Sequence, residues 1–412
     1  MNRSFPELMR GSRAALIAGF GLFSACGSED PESSAPANGA APGSGAPEDT
    51  TNPQNDTSDT SDDAANPATS ANTEANMGLD GNTPITGAEP PNAGEAEPTI
   101  APDELELVEV VIPDTLPGCS PAYPHDPAVD TATGMVYYAG SEESCIGQYN
   151  PETGAFQAWP TATPASYPHG LVVVDGKVYF TGIDESLLGS VDPATGEAVD
   201  FPVDAVGPHT PVFHEGAIWF TDQRGGQFGR LDPSTGEAEV VDFSATNTGP
   251  YGIWPAPDGS LWVALFNTNR LARIDTRATP PTADEIVLPE ANARPRRIAV
   301  DAAGKVWFTD YARRALGLWD PNLPEAERAR EFPTPGGGRP YGIAIGPDGR
   351  VWYNDQDAAE IVGFDQGTES VVARLALELE DPGPVRNIAV DQPRRRLWLA
   401  ISNVGRLAMI QF

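Results

Sequence analysis

The stretch Arg339-Pro340-Tyr341-Gly342-Ile343-Ala344-Ile345, followed by Pro347-Asp348-Gly349, Val351-Trp352-Tyr353 and Ile361-Val362-Gly363-Phe364-Asp365, decides the fold. Short β-branched and aromatic runs are separated by turn dipeptides, the pattern of strands joined by tight hairpins. The same unit stands earlier as Gly249-Pro250-Tyr251-Gly252-Ile253, Pro257-Asp258-Gly259, Leu261-Trp262-Val263 and Leu271-Ala272-Arg273-Ile274-Asp275. Further units start at Pro124, Pro168, Pro208, Pro295 and Val385. Seven units at a period of about 40–45 residues match four-stranded propeller blades. The chain is therefore expected to be all-β, a seven-bladed β-propeller over residues 101–412. The last unit ends at Phe412 in its third strand, while Leu105-Glu106-Leu107-Val108-Glu109-Val110-Val111 precedes the first unit without a blade of its own. That segment is expected to supply the missing outer strand and so to join the two ends of the ring.

Two segments precede the propeller. Arg3, Arg10 and Arg13 precede an apolar run from Ala14 to Ala25, too short to span a bilayer but of the length of a signal-peptide core. It ends Phe23-Ser24-Ala25-Cys26-Gly27, which resembles a bacterial lipoprotein processing site. Residues 1–25 read as the signal peptide, with Cys26 as the lipidated first residue of the mature protein. Residues 26–100 are almost entirely Ala, Pro, Gly, Ser, Thr, Asn, Asp and Glu, with almost no large aliphatic residue and without Lys, Arg or an aromatic. Such a composition cannot bury enough apolar surface to offset the entropy of ordering. An acidic tether is expected, with a root-mean-square span of roughly 45–50 Å by coil scaling. The expected location is the bacterial cell envelope, on the periplasmic or surface side, with the lipid as the only membrane attachment.

The formal net charge of −34 excludes ordinary nucleic-acid recognition, which rests on clustered Lys and Arg, and a monomer is expected. Cys119 lies in the segment entering blade one and Cys145 follows that blade's second strand. Both fall on the top face, and in an oxidising compartment they are expected to form a disulfide.

The residue after each entry proline begins an innermost strand and is expected to face the central channel. In blade order this register reads His125, His169, His209, Tyr251, Arg296, Tyr341 and Arg386. Three of the four histidines in the chain occupy it, in consecutive blades. Imidazoles can exchange a proton near neutral pH or bind a metal, and guanidiniums suit carboxylates and phosphates. A mouth lined by such groups is a candidate binding site for a small anionic or peptide-like ligand. Filling and solvating a narrow channel is the alternative use of the same side chains. The ends of the second strands read Gly140, Gly182, Asp222, Leu265, Asp310, Asp355 and Ile401. Their three carboxylates could pair the arginines, assist a base or complete a metal site.

Pro-x-Gly-Ile, Pro-Asp-Gly, Leu/Val-Trp-Phe-Thr-Asp, Gly-Arg-Leu-Asp-Pro and Thr-Gly-Glu together resemble the virginiamycin B lyase (streptogramin lyase) family over about residues 104–412. The resemblance implies a seven-bladed propeller and elimination at the ester bond of a cyclic depsipeptide, with a magnesium ion. It also implies histidines at the Pro-His positions of the last two blades and a glutamate ending strand two of the final blade. Those positions hold Tyr341, Arg386 and Ile401, none of which can serve in these roles. Two functions of different class remain open. One is a binding propeller that uses the channel mouth. The other is a lyase-like carbon–oxygen lyase in which His169 or His209 is the base and a carboxylate such as Asp222 replaces the glutamate.

Overall fold

A computed structural model describes residues 105–117, 124–245, 247–377, 385–402 and 404–412. The described residues form seven four-stranded antiparallel sheets, with two single-turn 3-10 segments, Glu325–Glu327 and Pro335–Gly337. Blade one runs outward through Pro124–Val129, Val136–Gly140, Cys145–Asn150 and Ala155–Pro160. Blades two to six repeat this order with inner strands Pro168–Val174, Pro208–His214, Pro250–Pro255, Pro295–Val300 and Pro340–Ile345. Blade seven is built from both ends of the domain: Val385–Asp391 inside, then Arg396–Ile401, Arg406–Gln411 and finally Glu106–Val111. The last pair runs in register from Glu106 opposite Gln411 to Val111 opposite Arg406. The expected closure is thus the observed one, and the ion pair Arg406–Glu109 at 2.6 Å crosses it.

The repeated residues explain the blades. Asp192, in Asp-Pro-x-Thr-Gly, accepts the amide of Ala194 at 2.9 Å through Oδ1, and Gly196 turns at φ +75° to send its N–H to the Asp192 carbonyl at 2.7 Å. A left-handed residue held by an Asx turn is the physical content of that motif. In the third strands, a glycine lies under the aromatic ring of the second strand. Gly317 opposes Phe308, and a Cβ there would fall 2.2 Å from the ring. The aromatic ring folds flat across its own sheet because its cross-strand neighbour has no side chain.

Between blades lies the core. Trp219, Trp254, Trp307, Trp352 and Trp398 are each under 2–3% exposed, and one continuous apolar layer carries Trp254, Trp262, Trp307, Ile343 and Tyr353 from blades four, five and six. Blade-to-blade stacking, not closure within one sheet, buries these rings. Each inner strand also carries a bulge just after its entry residue. Pro208 pairs with Asp222 but Pro211 with Phe220, so His209 and Thr210 together oppose Thr221. The same shift occurs in all seven blades and re-aims two residues per blade at the channel mouth.

Candidate binding site at the channel mouth

The bulge register brings together the residues expected from the sequence. His125, His169 and His209 stack in consecutive blades, with ring centroids 4.4 and 4.5 Å apart, and Tyr251 continues the series 4.1 Å from His209. All seven register residues are buried; His125, Arg296 and Arg386 retain 5%, 7% and 8% exposure, which makes them the side chains that reach the surface.

His125 and His209 are held neutral. Burial pushes His125 well below the ordinary imidazole value, and His169, Arg386 and His209 add to the effect. Asp126, whose Oδ1 lies 3.1 Å from His125 Nδ1, does not offset this. The neutral ring therefore donates its Nδ1–H to Asp126, which also accepts from Asn387 Nδ2 at 3.2 Å. Burial lowers His209 as well, assisted by His169 and Arg296. Its Nδ1 meets the Thr210 hydroxyl at 2.9 Å, while its Nε2 is buried without a hydrogen-bond partner among the described residues. In order around the ring, Arg386 flanks one end of the histidine arc and Arg296 acts on the other.

Blades four to six form the other side of the mouth. The hydroxyls of Tyr251 and Tyr341, from blades that are not neighbours, meet at 2.6 Å across blade five. Arg296 donates from Nη2 to the Tyr251 hydroxyl at 3.0 Å. Behind it, the fully buried Arg297 lies with its guanidinium carbon 4.7 Å from the Tyr251 ring centre and 5.4 Å from that of Tyr341. Burial raises the pKa of both phenols, so they stay protonated and can donate and accept. The upper registers of the inner strands thus bring three guanidiniums, Arg296, Arg297 and Arg386, and one carboxylate, Asp126, into the channel of a strongly acidic protein.

The three carboxylates of the second register stand elsewhere in the hydrogen-bonding scheme. Asp222 accepts backbone N–H groups from Val206, Gly207 and Gly225 at 2.9, 2.7 and 3.0 Å. Asp310 accepts from Arg294 and Arg313, both at 3.1 Å, and Asp355 from Asp357 and Ala358 at 3.0 and 3.1 Å. Each pins the top turn of its own blade. Burial raises Asp355 and pushes Asp310 up to about 6; Arg313 Nε stands 3.8 Å from Asp310 Oδ2, the one rim ion pair of the expected kind at this register. Arg313 also pairs with Glu290 at 3.1 Å, and Arg339 pairs locally with Asp357 at 2.7 Å.

Residues that the sequence reading passed over set the register itself. Thr181 Oγ1 accepts the Gly170 N–H at 2.9 Å and donates to the His209 carbonyl of the next blade at 2.6 Å. Thr221 does the same for Thr210 and Tyr251, and Thr309 for Arg297 and Tyr341. The signal was present in the recurring Trp-Phe-Thr-Asp, where threonine precedes the turn aspartate.

The positions at which the resemblance implies catalytic histidines and glutamate hold a tyrosine tied to Tyr251, an arginine, and Ile401, which is fully buried in an apolar cluster with Val385 and Ile388. Magnesium seeks oxygen ligands. Ile401 offers none, Asp222 is engaged by three amides, and among the described residues no group of three or more His, Cys, Asp or Glu side chains is placed to hold a metal ion. The donor set does not fit that ion. Cys145 is fully buried at the start of its strand opposite Gly140. Cys119 and Cys26 lie outside the described residues.

Comparison with known proteins agrees with this architecture. The sequence profile of the virginiamycin B lyase family matches residues 126–324. Virginiamycin B lyase from Staphylococcus aureus superposes with a TM-score of 0.66 at 19% identity, covering 75% of this chain and all of that one. A streptogramin B lyase structure gives 0.65 at 20% identity, over 76% of this chain and 99% of its own. A catalytically inactive histidine-to-alanine variant of the Staphylococcus aureus enzyme with quinupristin gives 0.65 at 18%, over 75% of this chain and 100% of its own. No curated protein matches the sequence. At these identities the structural likeness shows the fold, a seven-bladed β-propeller, and the profile match over residues 126–324 is a likeness to the virginiamycin B lyase family.

Proposed function

We propose that the propeller binds a small anionic ligand, or the anionic end of a peptide-like one, at its channel mouth. The observation that carries this reading is His209: a buried neutral imidazole whose Nε2 lacks a hydrogen-bond partner among the described residues, within an arc flanked by Arg386 and Arg296. A buried polar atom without a partner costs about 1–3 kcal/mol, a penalty that a ligand can remove. When the Thr210 hydroxyl donates to Nδ1, the ring proton stays on Nε2 and faces the ligand as a donor. The guanidiniums supply the positive field that an anion requires.

The same features weigh against inheriting an elimination reaction. A general base must accept a proton, and the burial and neighbouring cations that keep His209 neutral also penalise its imidazolium. We further propose that the chain is exported and tethered through a lipidated Cys26, with Cys119 and Cys145 bridged.

The binding reading is tested by thermal-shift and calorimetric titration of the purified protein with mono- and dicarboxylates and inorganic phosphate. A saturable response that is lost in His209→Gln or Arg386→Ala supports it. Its absence for every anion, or its persistence in both variants, refutes it. The lyase reading is tested by incubating the protein with magnesium and a streptogramin B depsipeptide, read by mass spectrometry. Linear product that disappears in His169→Ala/His209→Ala would make the protein an enzyme.

A further inference from the structure

Arg296 is enclosed on four sides by aromatic rings. Its guanidinium carbon lies 4.1 Å from the ring centre of Tyr341, 4.6 Å from Tyr311, 4.7 Å from Phe266 and 4.8 Å from Tyr251. The rings come from three blades: Tyr251 and Phe266 from four, Tyr311 from five and Tyr341 from six. They also brace one another edge to face, with Tyr311 and Tyr341 at 5.8 Å and 89°, and Phe266 and Tyr311 at 6.3 Å and 69°. Tyr311 is fixed from outside, since Arg339 Nη1 donates to its hydroxyl at 3.0 Å and that hydroxyl donates to Gln356 at 3.3 Å. Against this enclosure the cation makes little directional contact: Nη2 bonds the Tyr251 hydroxyl, and the buried Nε has no hydrogen-bond partner among the described residues.

We propose that these four rings form a guanidinium-binding site which the chain fills with its own Arg296, making that side chain an internal ligand that locks blades four, five and six across the top of the channel. Ring faces carry negative potential, and a planar, weakly hydrated guanidinium can stack on several at once. An ammonium is compact and strongly hydrated, so it suits such an enclosure less well. The inference is independent of the anion reading, because it concerns a cation and does not require a ligand at His209.

The test is chemical rescue in the full-length protein. Arg296→Ala should lower the Tm, and methylguanidinium should raise the variant's Tm saturably while leaving the parent's unchanged or lower. Sodium chloride and urea serve as controls for ionic strength and denaturant action. Arg296→Lys should behave like a weakened lock, remaining below the parent in Tm. A variant that melts with the parent, or that methylguanidinium affects only as it affects the parent, overturns the proposal. Should Arg296→Ala not fold, the parent still decides by nuclear magnetic resonance. Four surrounding rings must displace the Arg296 δ-methylene and Nε–H resonances strongly from random-coil positions and slow the exchange of that N–H. Unshifted, fast-exchanging resonances would show that no such enclosure exists.

Discussion

Replacing Thr181 by valine removes one hydroxyl and leaves side-chain volume almost unchanged. The hydroxyl is fully buried, accepts the Gly170 N–H at 2.9 Å and donates to the His209 carbonyl at 2.6 Å. Its loss strands a donor in blade two and an acceptor in blade three where water cannot replace it. Each buried unsatisfied group costs about 1–3 kcal/mol, so the pair should cost about 2–4 kcal/mol after modest relaxation. With an m-value of about 3 kcal/mol/M in urea, the midpoint should fall by about 0.7–1.3 M. Equilibrium urea unfolding followed by tryptophan fluorescence reads this shift. Thr181→Ser, which keeps the hydroxyl, should recover most of it. The exposed-turn control Thr195→Val should change the midpoint little, because its hydroxyl only accepts the Glu197 amide at 3.2 Å near solvent. A Thr181→Val midpoint indistinguishable from that of the parent would refute the claim that these threonines latch neighbouring blades.

Three other perturbations discriminate parts of the account. Deleting residues 105–111 removes the outer strand of blade seven and its pairing with Arg406–Gln411, so cooperative unfolding should be lost; calorimetric melting like that of the parent would show that the ring does not depend on this closure. Gly317→Ala would set a Cβ against the Phe308 ring and should destabilise by about 1–3 kcal/mol, as overpacking does, measured by the same urea assay. The folded protein holds His209 below its ordinary value, so below about pH 6.5 the unfolded chain binds a proton there that the folded chain refuses. Stability from this residue is therefore complete above that pH and falls as the pH drops, by up to about 1.4 kcal/mol per pH unit. Subtracting the stability of His209→Gln from that of the parent at each pH isolates the term from the opposing contributions of Asp310, Asp355 and Asp391. A flat difference between pH 7 and 5 would mean that His209 titrates freely.

How far the fold could be read from sequence depended on whether a feature was repeated. Pro-x-Gly-Ile, Pro-Asp-Gly and Trp-Phe-Thr-Asp recur at one period, and the unpaired segment at Leu105–Val111 left a single place to dock, so blade count and closure were both legible. The mouth register was legible for the same reason, since every entry proline is followed by a bulge that turns the next residue inward. What those residues do there was not legible. Asp222, Asp310 and Asp355 look like three carboxylates aimed at a site, yet each turns onto N–H groups of its own top turn, a local Asx-type choice that spacing does not reveal. The Arg296 enclosure was hidden for the opposite reason. It joins Tyr251 and Phe266 of one blade to Tyr311 and Tyr341 of the next two, and no single repeat contains it.

Pseudo-symmetry suggests that the family's chemistry could simply have moved around the ring, from the last two blades to the first three, where the histidines are. The second register shows what such a rotation would require. Opposite the entry residues of blades one to three stand Gly140, Gly182 and Asp222, so Asp222 is the one carboxylate available to take the glutamate's place. It already satisfies the N–H groups of Val206, Gly207 and Gly225. Swinging it toward a metal would orphan three amides at about 1–3 kcal/mol each, several kcal/mol before any ligand bond forms. His209 would in addition have to become a cation beside Arg296 in a buried site. A neutral imidazole that needs a hydrogen-bond partner, with guanidiniums on either side of its arc, meets neither obstacle if the visitor is an anion that is held and released unchanged.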